Sequence, residues 1–88
     1  MRRDFDVTDR VHTTLNHDQR HGFRWCQRPV QVWALVAEFK NQEFVSMTLK
    51  GFYVDNPAER VEVTVSDVDM LPAWVIPWTV YLAWEVQE

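Results

Sequence analysis

The sequence predicts an α+β fold: a mainly antiparallel β-sheet of four to five strands, at about 23–27, 30–39, 43–54, 60–66 and 78–86, with one N-terminal helix at about 8–21. Three observations predict it. Segments 43–54, 60–66 and 78–86 alternate apolar and polar side chains, as strands with one buried face do. Between the first two, Asp55-Asn56-Pro57-Ala58-Glu59 has the chemistry of a hairpin turn, because Pro presets φ while Asp and Asn bond back to their own backbone. Ahead of these strands, acidic residues followed by basic ones and a glycine resemble the two ends of a helix.

The N-terminal segment carries competing signals. Phe5, Val7, Val11, Thr13 and Leu15 suggest period two. Against that, Asp6 or Thr8 suits a cap, Asp4, Asp6 and Asp9 suit the positive end of a helix dipole, Arg20 and His21 suit the negative end, and Gly22 suits a stop. The expectation is a helix over 8–21, followed by a short edge strand over 23–27.

Segment 30–39 is also two-sided. Val32, Leu35, Val36 and Phe39 match helical spacing, and Pro29 fits a first helical turn. The β-branched and aromatic residues Val30, Val32, Trp33, Val36 and Phe39, with a short polar link Lys40-Asn41-Gln42-Glu43 into a firm strand, favour a strand apolar on both faces and central in the sheet. In 43–54, Val45, Met47 and Leu49 face inward; in 60–66, Val61, Val63 and Val65 do so. The 68–77 stretch reads as a turn-rich connection with one helical turn around 72–75. In the closing strand Trp78, Val80, Leu82, Trp84 and Val86 complete the expected core.

A chain of 88 residues, 47% hydrophobic and 25% charged, has the size and composition of one globular domain, 1–88, with one core. The single cysteine, Cys26, has no partner for an internal disulfide, and Met1–Asp6 has no apolar run of signal-peptide type, so a reducing, cytoplasmic setting is expected. Residues 70–84 carry no charge, yet Pro72 and Pro77 break a stretch already too short to span a membrane. That stretch must be buried in protein or form an interface.

Net charge is −4, divided unevenly: residues 1–40 carry seven Arg/Lys against five Asp/Glu, and residues 41–88 carry two against eight. The acidic half argues against a general nucleic-acid binder, whose affinity for phosphates needs clustered cations. His12, His17, His21 and Cys26 contain imidazole and thiol of the kind zinc takes, but without paired cysteines at short spacing they predict no metal site. Cys26 with a histidine and Asp18 makes a poor nucleophile set, and Asp67 and Asp69 read as a polar turn. With Gly22 and Gly51 the sole glycines, no phosphate-cradling loop exists. No cofactor and no enzymatic activity are expected.

Two surfaces remain. Arg20, Arg24, Trp25 and Arg28 interleave cations with aromatics, the combination that grips single-stranded nucleic acid. Trp25, Trp33, Trp74, Trp78 and Trp84 are more indoles than a small core readily holds, and three fall within 70–84. Because Trp and Tyr dominate protein interfaces, Met70, Leu71, Trp74, Ile76, Trp78 and Tyr81 are the expected protein-binding residues. The leading expectation is therefore a non-enzymatic protein-interaction or assembly module, its partner a protein or a second copy in a homo-oligomer. The alternatives are a small acidic inhibitor that imitates nucleic acid through Asp55, Glu59, Glu62, Asp67, Asp69, Glu85 and Glu88, and a weak single-stranded nucleic-acid binder.

Overall fold

Two short turns with left-handed backbone organise the sheet. Cys26 (φ 54°) and Gln27 (φ 63°) join one strand pair, and Asn41 (φ 54°) and Gln42 (φ 70°) join the next. Two consecutive residues at positive φ match the right-handed twist of the strands they connect, so each turn closes a tight antiparallel hairpin. The computed structural model describes residues 8–15 and 21–86, with the backbone alone at Val86. It contains β1 (Thr8–Thr14), β2 (Gly22–Trp25), β3 (Arg28–Lys40), β4 (Glu43–Tyr53), β5 (Asn56–Val65), a short 3-10 turn (Val68–Met70) and one helix, α1 (Ile76–Val86).

The sheet is an antiparallel meander with β3 and β4 at its centre. β1 and β2 share one edge of β3, β1 along its second half and β2 along its first; β4 lies on the other side of β3, and β5 beyond it. Pairing pauses between the two edge strands: Leu15 N donates to Trp33 O at 2.8 Å, and Val32 N donates to His21 O at 2.8 Å. The expected central strand over 30–39 is thus present.

Two bulges on the β3–β4 pair set which side chains face inward. On β3, Val32 pairs with Gly51 and Ala34 with Lys50, leaving Trp33 as an extra residue. Its insertion reverses the parity of the strand. Val30 and Val32 are buried before it, Leu35, Ala37 and Phe39 after it. The three-residue step from Val32 to Leu35 on one face is what imitated helical spacing. A second bulge lies where Glu38 pairs with Ser46 and Phe39 with Phe44, leaving Val45 unpaired. Val45 is accordingly exposed, while Met47 and Leu49 are buried as expected.

The N-terminal expectation is corrected by β1. Residues 8–14 form a strand instead of the first half of a helix; residues 16–20 of that span lie outside the described residues. Seven residues of β1 pair with β3 from Thr8↔Lys40 to Thr14↔Ala34, with Val11 and Thr13 half-buried and Leu15 buried at its end. Thr8, Val11, Thr13 and Thr14 are β-branched, and sheet pairing outweighs the capping chemistry of Thr8 and Asp9.

The closing strand is also corrected: residues 76–86 are helical. Val75 N donates to Pro72 O at 2.9 Å and Trp78 N to Val75 O at 2.8 Å, so a turn at 72–75 leads into α1. Pro77 sits in the first helical turn, where an N–H has no intrahelical acceptor. Leu71, Val75, Trp78 and Leu82 recur at helical spacing on the side facing the sheet. They pack with Leu15, Leu35, Phe39, Met47 and Leu49 into one core. Full burial of Leu82 alone contributes roughly 1.5–3 kcal/mol. Thr79, the one buried polar side chain among the described residues, donates from Oγ1 to Ile76 O at 2.7 Å.

Candidate interaction surface

α1 is apolar on both sides, and a helix of that kind is stable in water only when both sides are covered. One side is covered by the sheet: Leu82 is 1% exposed and Trp78 and Ala83 are half-buried. The other is open. Val80 is 72% exposed, Trp84 73%, Tyr81 54% and Ile76 37%. Ile76, Val80 and Trp84 follow one another at four-residue steps, with Pro77 and Tyr81 alongside at the same spacing, so they form a single stripe. The one charged side chain of the helix is Glu85, near its end. Trp78 meets Tyr81 edge to face, with centroids 5.4 Å apart and planes at 86°. Together with Pro77 they line a shallow hollow of about 180 Å³.

A second apolar concavity lies where β2 approaches the chain leading to α1. Phe23, Arg24 and Trp25 stand on one side of it, and Met70, Leu71 and Pro72 on the other. Leu49, Val63 and Val65 also line its volume of about 310 Å³. Met70 is 72% exposed. Residues from both sequence-derived surfaces, Arg24 and Trp25 from one and Met70 and Leu71 from the other, therefore meet around one hollow.

The remaining members of the apolar set are mainly structural. Leu71 is buried in the core, and Trp74 packs against it. The Trp74 indole N–H donates to Gly22 O at 2.8 Å, and its ring lies 5.0 Å from that of His21. Trp74 thus fastens the approach to α1 onto β2. Sequence reasoning assigned Val80 and Trp84 to the core, because even-numbered apolar residues over 78–86 imitate a strand. The signal that locates them outside is the spacing of Leu71, Val75, Trp78 and Leu82.

Of the four residues expected to touch nucleic acid, Arg20 lies outside the described residues. Arg24 donates from Nη2 to Gln27 O at 3.0 Å, across the β2–β3 turn. Trp25 is exposed and meets Phe23 edge on, with centroids 6.4 Å apart. Arg28 is engaged by acids: its Nη2 lies 2.8 Å from Asp55 Oδ1 and 3.1 Å from Glu59 Oε1, with its guanidinium carbon 3.7 Å above the Tyr53 ring. Hydrogen bonds to Asp55 and then Glu59 hold the Arg28 guanidinium protonated even more firmly than usual. The same bond from Arg28 holds the Asp55 carboxyl below the ordinary carboxylate range. This cluster ties the start of β3 to the β4–β5 turn at Asp55 and to the first half of β5 at Glu59. Two of the acids expected to imitate phosphate are therefore neutralised locally, and a third, Asp67, accepts from Asp69 N at 3.0 Å and caps the 3-10 turn.

His12 projects from β1 and is exposed, His21 stacks on Trp74, Cys26 is exposed in its turn, and His17 lies outside the described residues. No group of three or more His, Cys, Asp or Glu able to hold a metal is present among the described residues. No described helix is long and apolar enough to cross a membrane. On the sheet face turned away from α1, Arg10, Val36, Thr48, Lys50, Glu62 and Thr64 line one mainly polar depression, with the Thr48 and Thr64 hydroxyls 2.8 Å apart. Comparisons with protein-family models, with curated proteins and with solved structures found no match.

Proposed function

We propose that this chain is a non-enzymatic protein-interaction or assembly module whose contact surface is the apolar segment 70–84, above all the outer face of α1. The carrying observation is the stripe Ile76, Val80, Tyr81 and Trp84, four large apolar side chains side by side on one helix face and open to solvent. Scattered exposed hydrophobics need no explanation, but a contiguous group containing Trp and Tyr is the composition of an interface centre. The two aromatics offer large rigid area at little cost in side-chain entropy. Met70, beside the hollow it shares with Trp25, extends the apolar surface at a second place.

The nucleic-acid and acidic-inhibitor readings have weaker support, because Arg28, Asp55 and Glu59 satisfy one another. The test is a comparison of the wild-type chain with Val80→Asp in solution mass and in the set of proteins captured from a native extract. Val80 touches solvent and not the core, so the variant keeps the wild-type unfolding midpoint and loses association. Identical mass and identical capture in both chains would remove the proposal.

A further inference from the structure

We infer that the occupant of the α1 face is the same face of a second copy of this chain, with the two helices antiparallel about a two-fold axis between Val80 and Tyr81. This rests on the interaction-module reading and goes further by naming the partner and its orientation.

The face carries a projection toward its C-terminal end and a hollow toward its N-terminal end. Trp84 is its most exposed side chain, and the hollow of about 180 Å³ is lined by Pro77, Trp78 and Tyr81. At a rise of 1.5 Å per residue, Trp84 lies about 5 Å to one side of a point midway between Val80 and Tyr81, and Pro77 lies about 5 Å to the other. An antiparallel two-fold through that point sets each Trp84 over the other copy's Pro77, at the edge of the hollow. The surface is then self-complementary, as a two-fold interface requires.

Electrostatics select the same orientation. The antiparallel pair opposes the two helix dipoles and sets Glu85 across from Ile76, at the positive end of the other helix. A parallel pair aligns the dipoles and brings Glu85 beside Glu85. A lipid surface fits less well, since the helix has no Lys or Arg to meet anionic headgroups.

Area sets the strength. Aromatic side chains present roughly 150–250 Å² each, so Tyr81 and Trp84 with Val80 and Ile76 offer on the order of 400–500 Å² per copy. A total near 1,000 Å² belongs to the small, reversible class of interfaces. The dimer is therefore expected to dissociate on dilution.

The experiment is sedimentation equilibrium of a Cys26→Ser chain from micromolar to millimolar concentration. The expected mass climbs from 10.5 kDa toward twice that value. Trp84→Ala and Val80→Asp each weaken the dimer at least tenfold, about 1.4 kcal/mol, while leaving in place the urea midpoint measured at concentrations where the chain is monomeric. Orientation is read by oxidation in the same background. Val80→Cys links copies, because its two positions meet at the axis. Glu85→Cys does not, because its positions lie about 14 Å apart along the helices, beyond the Cα separation a disulfide spans.

A strictly monomeric chain, a dimer indifferent to Val80→Asp, or efficient Glu85→Cys linkage overturns the inference. A monomer whose Val80→Asp variant loses a captured protein overturns the second copy and leaves the interaction module standing. A monomer that instead sediments with phosphatidylcholine vesicles replaces the second copy with lipid. A monomer whose variant changes neither capture nor mass removes both readings.

Discussion

At Gly51 the backbones of β3 and β4 approach closely. A Cβ built there would collide with the backbone oxygen of Gln31 and come within 2.9 Å of Val30 Cγ1, and backbone cannot swing aside as a side chain can. Gly51→Ala is expected to lower stability by about 1–3 kcal/mol, the usual cost of overpacking, read as a fall in denaturant midpoint. Arg28 gives a different signature. Since Asp55 titrates below its unfolded range when folded, its contribution is complete above about pH 3.9 and is lost as pH falls through the lowered value. Thermal melts of the wild-type chain should therefore lose stability in acid, and Arg28→Ala should flatten that part of the profile. The pair is solvent-exposed, so the difference between the curves, rather than their height, carries the information. The sequence of 20–28 suggests a solvated or salt-bridged edge but does not name the partners of Arg28. The acids that bind it lie about thirty positions away, and only the β3–β4–β5 meander brings them together.

At the level of elements, legibility followed local chemistry. The strands over 43–54 and 60–66 and the central strand over 30–39 were readable because alternation, β-branched content and turn residues agree there. Bulges at Trp33 and Val45 were not, since an inserted residue leaves no mark except a misplaced periodicity. β1 and α1 were misread for opposite reasons. In β1 a capping pattern competed with tertiary pairing; in α1 both the two-residue and the helical spacings are satisfied by the same unbroken apolar run. The two-residue turns carry an avoidable cost, because a non-glycine residue in left-handed backbone loses roughly 1 kcal/mol. Gln42→Gly should raise the unfolding midpoint by an amount worth about 0.5–1 kcal/mol. Within α1, Leu82→Ala should cost roughly 2–5 kcal/mol in chemical denaturation, as cavity formation does, whereas Val80→Ala should cost little.

Considered whole, the molecule is long and narrow, 53 × 23 × 19 Å, and α1 lies over β1, β3 and β4 on one side of the sheet. That leaves one helix stripe bare. Five indoles and an uncharged 70–84 mark this segment in the sequence, and Met70, Ile76, Val80, Tyr81 and Trp84 within it are exposed. The sequence-derived set holds Trp74 and Trp78, which pack against the core, and the exposed stripe holds Trp84, because a strand and a helix turn different residues outward. Association through this stripe should survive high sodium chloride and strengthen in sulfate, as burial of apolar area does. Pairing steered by the +2 and −6 halves would instead fade as salt screens it. Sedimentation at two ionic strengths separates the two.

The unequal settings of the tryptophans give the chain an optical label of its own. Trp74 is held by a carbonyl acceptor and a tilted imidazole ring beside it, while Trp84 is largely exposed to water. Acrylamide should therefore quench the emission of Trp84 and spare that of Trp74, and any molecule that settles on the helix should shield the former and shift its spectrum to the blue. Occupancy of the stripe can be titrated by light alone, with no dye attached.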